Sequence, residues 1–133
     1  MTVDFNDLRS LAEKSFGSAF VPQEERVFAL SLDGASVTFA EIPGEPAMTL
    51  VRTRVVDTKG IARKGSLAVT ALEGNLFWSG TAGATLSLGA DGWLWLTERR
   101  PTGGLANPDG LAACVSGFMS TAAAWRERSA LHE

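Results

Sequence analysis

The chain has 133 residues, of which 45% are hydrophobic and 20% charged, and its formal net charge at pH 7 is −3. This length and composition predict one globular domain, residues 1–133, with a core of its own. The negative charge argues against nucleic acid or an anionic membrane as a partner. The lack of a signal pattern or membrane-length apolar run predicts a cytoplasmic protein.

The first half of the chain predicts a helix followed by an antiparallel meander of three strands. Asp4 or Asn6 can cap the helix, whose apolar residues recur every three or four positions until Gly17. Residues 18–25 contain Pro22 and are predicted to form a connection. An Asp-Gly pair provides a tight turn between the first two strands. The strands are predicted at residues 26–32, 35–41 and 47–57.

The second half predicts a short helix, a hairpin and a long final helix. Residues 65–76 have leucines and alanines at helical spacing, although glycines weaken the pattern. Asp91-Gly92 indicates a hairpin between strands at 85–88 and 93–96. Asn107 can cap the last helix, which has a clear apolar stripe. The predicted fold class is therefore α+β, an antiparallel sheet packed with helices in the order α-β-β-β-α-β-β-α.

Side chains that support catalysis or metal binding are sparse in this sequence. The single histidine, His132, is next to the last residue, and the single cysteine, Cys114, lies beside the apolar stripe of the last helix. One cysteine and one histidine cannot form a zinc cluster, and the acidic residues are isolated from one another. We therefore predict that the protein is not an enzyme, with no catalytic residues, no metal and no cofactor.

The second hairpin supplies more apolar surface than one face of a sheet requires. If its leucines point to the core, Trp93 and Trp95 stand on the opposite face, together in part with Val51 and Val55. Such a patch is larger than a lone monomer usually exposes. Either another segment of the same chain covers it, or it is a self-association surface or a groove for another chain. A two-fold dimer is the commonest form of self-association.

The segment from Leu67 to Arg126 carries a series of motifs in a fixed order. A leucine-bearing helix ends in Asn-Leu and leads into a glycine-rich turn, two strands across an acidic-Gly turn, a Pro/Leu loop and a final helix ending in Trp-Arg. The residues concerned are Leu67, Leu72, Asn75, Leu76, Gly80, Gly83, Leu86, Leu88, Gly92, Leu94, Leu96, Pro101, Leu105, Phe118, Trp125 and Arg126. This pattern resembles the class I type III secretion chaperones, the Tir-chaperone-like family.

The resemblance implies a bacterial cytoplasmic homodimer that binds the N-terminal segment of a secreted effector in extended form, without ATP. It implies a dimer surface on the middle helix and the hairpin, which here means Leu72, Leu76, Trp93 and Trp95. It places effector-binding patches on the first helix and the first three strands. The corresponding residues here are Leu8, Leu11, Phe28, Leu30, Val37, Phe39 and Leu50.

Two alternatives remain open from the sequence. The pattern does not separate the floor of a groove from a hydrophobic core, so each proposed effector-binding residue can equally be a core residue. The whole chain can also be a stand-alone α+β domain that binds a small ligand or regulates a partner, with no role in secretion.

Overall fold

The structure is a computed structural model that describes residues 3–132. This part of the chain forms one six-stranded antiparallel sheet with the strand order β1-β2-β3-β4-β6-β5. The strands are β1 (Phe20–Glu24), β2 (Val27–Leu32), β3 (Ala35–Ile42), β4 (Met48–Asp57), β5 (Thr85–Leu88) and β6 (Trp93–Pro101). The helices are α1 (Phe5–Phe16), α2 (Lys64–Asn75), α3 (Thr102–Leu105) and α4 (Pro108–Ala130). Within residues 3–132, none of these helices has both the length and the apolar character of a membrane span.

Helix α1 begins at a capping box and covers the strands that follow it. The Asp7 N–H donates to the Asp4 carboxylate and the Asp4 N–H donates to the Asp7 carboxylate, each at 3.0 Å. The apolar side of the helix faces the sheet, where the rings of Phe5 and Phe28 lie 5.5 Å apart between centroids. The cap therefore fixes where the helix starts, and the aromatic contact fixes which side is buried.

A buried tryptophan joins helix α4 to the end of α2. The Trp125 side chain is 1% exposed, and its indole N–H donates to the carbonyl of Gly80 at 2.9 Å. Its ring lies so close to Gly74 that a Cβ added there would be 2.5 Å from Trp125 Cζ2. Only glycine fits at this position without displacing the indole. The end of α2, the glycine-rich loop and α4 therefore meet around the Trp125 side chain.

The predicted fold class is confirmed, with one additional strand. Residues 18–25, predicted to be a connection, contain β1. The prediction was wrong because Pro22 suggested a loop, whereas an edge strand tolerates a residue that lacks an N–H. Residues 102–105, predicted as part of a loop, form α3, and β6 continues to Pro101.

Strand register decides which side chains share a face of the sheet. Opposite Thr53 of β4 stands Leu96 of β6, and both side chains are buried on the inner face, which the helices cover. The neighbouring pair, Arg54 and Trp95, therefore projects from the outer face. Val51 and Val55, predicted to lie partly with the tryptophans, are instead core residues because they alternate with the arginines of β4.

Candidate protein-binding surfaces

Five of the seven residues assigned to effector binding belong to the hydrophobic core. Leu8, Phe28, Leu30, Val37 and Phe39 are each 0% exposed. Helix α1 and the inner face of the sheet enclose these side chains, and they present no surface to a partner. All five are therefore core residues, which is one of the two alternatives that the sequence left open, and they do not form the floor of a groove.

The other two residues lie on different surfaces. Leu11 of α1 is half-buried at the margin of the core, as are Phe16 at the end of α1 and Phe20 at the start of β1. Leu50 is half-buried on the outer face of β4, opposite Arg99 of β6. The structure therefore does not bring Leu11 and Leu50 into one groove.

The outer edge of β1 is available for pairing. Among residues 3–132, β1 is bonded to β2 alone, and most of its side chains are exposed. At its far end Arg9 Nη1 donates to the carbonyls of Glu24 at 2.6 Å and Glu25 at 3.1 Å, which secures the turn into β2. An unpaired strand edge of this kind accepts an extended segment through main-chain hydrogen bonds.

The opposite edge of the sheet, β5, is closed at its centre by a side chain. The Asn75 amide donates to the carbonyl of Leu86 at 2.8 Å and accepts the Leu86 N–H at 2.8 Å. These are the main-chain groups that another strand would otherwise use. The sequence marked Asn75 only as part of a motif, because its partner lies in a separate element.

Helix α2 and the loop after it carry a cluster of exposed apolar side chains, the α2 surface. Leu72 is 70% exposed, Leu76 62% and Phe77 84%. Trp78 and Leu88 are exposed as well, and Leu72 and Leu88 both line an apolar groove of about 340 Å³ between α2 and β5. Such a concentration of apolar surface is typical of a protein interface.

Backbone geometry presents the two aromatic residues of this surface. Phe77 and Trp78 have φ values of 51° and 56°, in the left-handed region that bulky residues rarely adopt. Left-handed residues of this type concentrate at functional sites, where the surrounding structure holds them in place. The loop therefore displays its aromatic side chains at a cost in backbone energy.

Trp93 and Trp95 lie on the outer face of the sheet, away from the α2 surface. The guanidinium carbon of Arg54 is 4.9 Å from the ring centroid of Trp93 and 5.1 Å from that of Trp95. Arg52 lies 5.7 Å from the Trp95 centroid. Arginine side chains thus cover the indoles, and the four residues predicted to form one dimer surface, Leu72, Leu76, Trp93 and Trp95, divide between two faces.

A hydrogen-bonded carboxylate adjoins these arginines. The Asp91 carboxylate accepts the Trp93 N–H at 3.1 Å and lies 3.6 Å from Arg54 Nη2. The Trp93 N–H chiefly lowers the pKa of Asp91, with further lowering from the Trp95 indole N–H and from Arg54. Asp91 is therefore ionised at neutral pH and partly balances the charge of Arg54.

A third guanidinium reaches the same face from α4. At the bulge in β4, Arg126 Nη2 donates to the carbonyl of Arg54 at 2.6 Å and Arg126 Nε donates to the carbonyl of Val55 at 3.2 Å. The outer face is concave here, with a volume of about 640 Å³. Its charged and aromatic lining consists of Asp33, Arg52, Arg54, Trp93, Trp95 and Arg126.

Known proteins share this sequence pattern and this fold. Residues 8–126 match the Tir chaperone protein (CesT) family. A chain of the ExsC-ExsE complex is similar with a TM-score of 0.75 and 17% identity, over 96% of each chain. A chain of the HopA1-SchA chaperone-effector complex gives a TM-score of 0.63 and 20% identity, over 94% of this chain and 98% of that chain.

A third similar structure is the Yersinia pestis type III secretion chaperone SycH in complex with a stable fragment of YscM2. The TM-score is 0.65 and the identity 19%, over 91% of this chain and 98% of that chain. The comparison with curated proteins gives no match. At these identities the structural likenesses concern the fold, and the family match concerns the sequence.

Proposed function

This chain belongs to the Tir chaperone protein family, and we propose that it is a homodimeric type III secretion chaperone that binds the N-terminal segment of one or more effectors in extended form. The similar structures support this proposal, since they include chaperones in complex with an effector or with a protein fragment. Bound in this way, the effector stays soluble and ready for export. The whole chain acts as one domain in this role.

The observation that carries the proposal is the open edge of β1 beside half-buried apolar side chains. An extended effector segment adds to this edge by main-chain hydrogen bonds, which do not depend on its sequence. Phe16 at the end of α1 and Phe20 at the start of β1 offer half-buried apolar contacts beside this edge, and Leu11 offers a further one at the margin of the core. These contacts supply the preference for apolar side chains at alternate positions of the bound segment.

The α2 surface is the proposed dimer interface. Leu72, Leu76 and the exposed aromatic residues after α2 lie together beside the apolar groove, and a second copy of the chain buries them through a two-fold contact. Trp93 and Trp95 are not part of this interface. Their indole faces are already covered by arginines, and they lie on the other face of the sheet.

Substitution of Leu11 tests the effector site. Leu11→Asp is expected to weaken binding of an effector segment by about tenfold or more, because it puts a charge among half-buried apolar groups. The ligands to test are the N-terminal segments of proteins encoded beside this gene, with affinity measured by calorimetry. Hydrogen exchange of the β1 amides is expected to slow in the complex.

Ser10→Asp is the matched control, because it adds the same charge at the neighbouring exposed position of α1. It is expected to bind as the unmodified protein does. Equal affinity of the Leu11→Asp and Ser10→Asp variants, with no protection of β1, would place effector binding elsewhere on the protein.

A further inference from the structure

We infer that the outer face of the sheet is a second binding site, specific for an acidic polypeptide segment in extended form. The site consists of Arg52, Arg54, Trp93, Trp95 and Arg126, which line one concavity. It lies apart from the α2 surface, and its arginines and tryptophans belong to β4, β6 and α4, although Gln23 of β1 also lines the concavity. The inference therefore goes beyond the proposed function and does not depend on it.

The charge of this concavity is opposite to that of the chain as a whole. The net charge of the protein is −3, yet three guanidinium groups converge here. The carboxylates that face them are Asp33 on the rim and Asp91, which lies 3.6 Å from Arg54. Local positive charge on an acidic protein favours a partner segment that carries negative charge.

The arginines are held in place before any ligand binds. Arg54 stacks on two indoles and Arg52 on one, while Arg126 is anchored by two main-chain carbonyls. A guanidinium that lies over an aromatic ring keeps its N–H groups free for carboxylates. Because its side chain is already ordered, little conformational entropy is lost on binding.

Strand geometry sets the spacing of the acidic groups that fit. Arg52 and Arg54 are two residues apart on one face of β4, and hence about 7 Å apart along the strand. An extended peptide places side chains i and i+2 on one face at the same separation. The site therefore prefers carboxylates at alternate positions over adjacent ones.

The same contacts disfavour a nucleotide as the ligand. A base would need a free indole face for stacking, and the guanidinium groups of Arg52 and Arg54 already occupy faces of Trp93 and Trp95. The concavity is also open and broad, as an extended chain requires. The geometry thus favours a polypeptide.

Two labelled peptides of identical composition test the inference by fluorescence anisotropy at low salt. One alternates glutamate and serine, and the other repeats Glu-Glu-Ser-Ser, which contains no glutamates two positions apart. The alternating peptide is expected to bind at least about fivefold more tightly, because it alone pairs with two arginines at once. The affinity is expected to fall as salt is added.

Substitutions identify the site. Arg52→Ala combined with Arg54→Ala is expected to weaken binding of the alternating peptide at least tenfold. Arg26→Ala removes an exposed arginine that pairs with Glu41 away from the concavity, and it is expected to have no effect. Asp91→Asn keeps the turn and removes the competing carboxylate, so it is expected to tighten binding severalfold.

The inference would be overturned if the two peptides bound with equal affinity, or if the double arginine variant bound the alternating peptide as tightly as the unmodified protein does. It would also be overturned if ATP displaced the labelled peptide at a lower concentration than the unlabelled alternating peptide does. The last result would identify a site for small anions. Asp91→Asn decides the matter even if the double variant does not fold. Leu11→Asp is expected to bind the alternating peptide normally, which separates this site from the proposed effector site.

Discussion

The combined substitution Leu72→Glu and Leu76→Glu is expected to convert the proposed dimer into monomers. Both leucines are largely exposed on α2, and a two-fold interface buries each of them in both protomers. Burial of one leucine contributes about 1.5–3 kcal/mol, so the dissociation constant is expected to rise at least about a thousandfold. Light scattering coupled to size exclusion measures the change in mass, and circular dichroism checks that the fold is kept.

Two variants serve as controls for this result. Leu131→Glu changes another exposed leucine, beyond the end of α4, and is expected to remain dimeric. Trp93→Glu combined with Trp95→Glu alters the outer face and is also expected to remain dimeric. A monomeric tryptophan variant beside a dimeric leucine variant would move the interface to the outer face of the sheet.

Trp125→Ala is expected to lower the free energy of unfolding by about 3–5 kcal/mol. The substitution leaves a cavity where α2, the glycine-rich loop and α4 meet, and it removes the hydrogen bond to the carbonyl of Gly80. Since the free energy of unfolding of a small domain is only about 5–15 kcal/mol, the expected loss is a large share of the total. Urea unfolding followed by far-ultraviolet circular dichroism measures the loss.

Trp93→Ala is the comparison for this prediction, because it removes an equally large side chain that is only half-buried. Its cost is expected to be about 1–2 kcal/mol, from partial burial and the lost contact with Arg54. Equal losses for the two variants would show that the contact of Trp125 with Gly74 and Gly80 is not a principal source of stability.

Local signals explain which elements were predictable. Helix α4 was evident from its cap and apolar stripe, and the hairpins from their Asp-Gly turns. Strand β1 was missed because an edge strand needs no alternation and tolerates Pro22. Its pairing with β2 is visible only once the sheet is assembled.

The functional surfaces depended on contacts that sequence spacing does not reveal. Phe28 and Leu30 have the same pattern whether they line a groove or a core, and only the position of α1 decides between these alternatives. The covering of Trp95 by Arg54 follows from the register of β4 against β6, two strands separated by α2 and β5 in the chain. The sequence of the hairpin alone therefore predicted more exposed apolar area than the structure has, because it does not show the arginines of β4 that cover the indoles.

The side-chain amide of Asn75 blocks the β5 edge of the sheet, so that the two edges of the sheet differ in their capacity to pair with another strand. Any protein that holds unfolded chains at a strand edge risks stacking with its own copies, edge upon edge, into fibrils. Among residues 3–132, an incoming strand finds an unpaired edge along β1 up to the Glu24 carbonyl, which accepts from Arg9, while at the far side the main-chain groups of Leu86 are already satisfied. We therefore expect that the β1 edge of one protomer does not add to the β5 edge of the next, so that the proposed capture of effector strands does not lead to polymers of the chaperone.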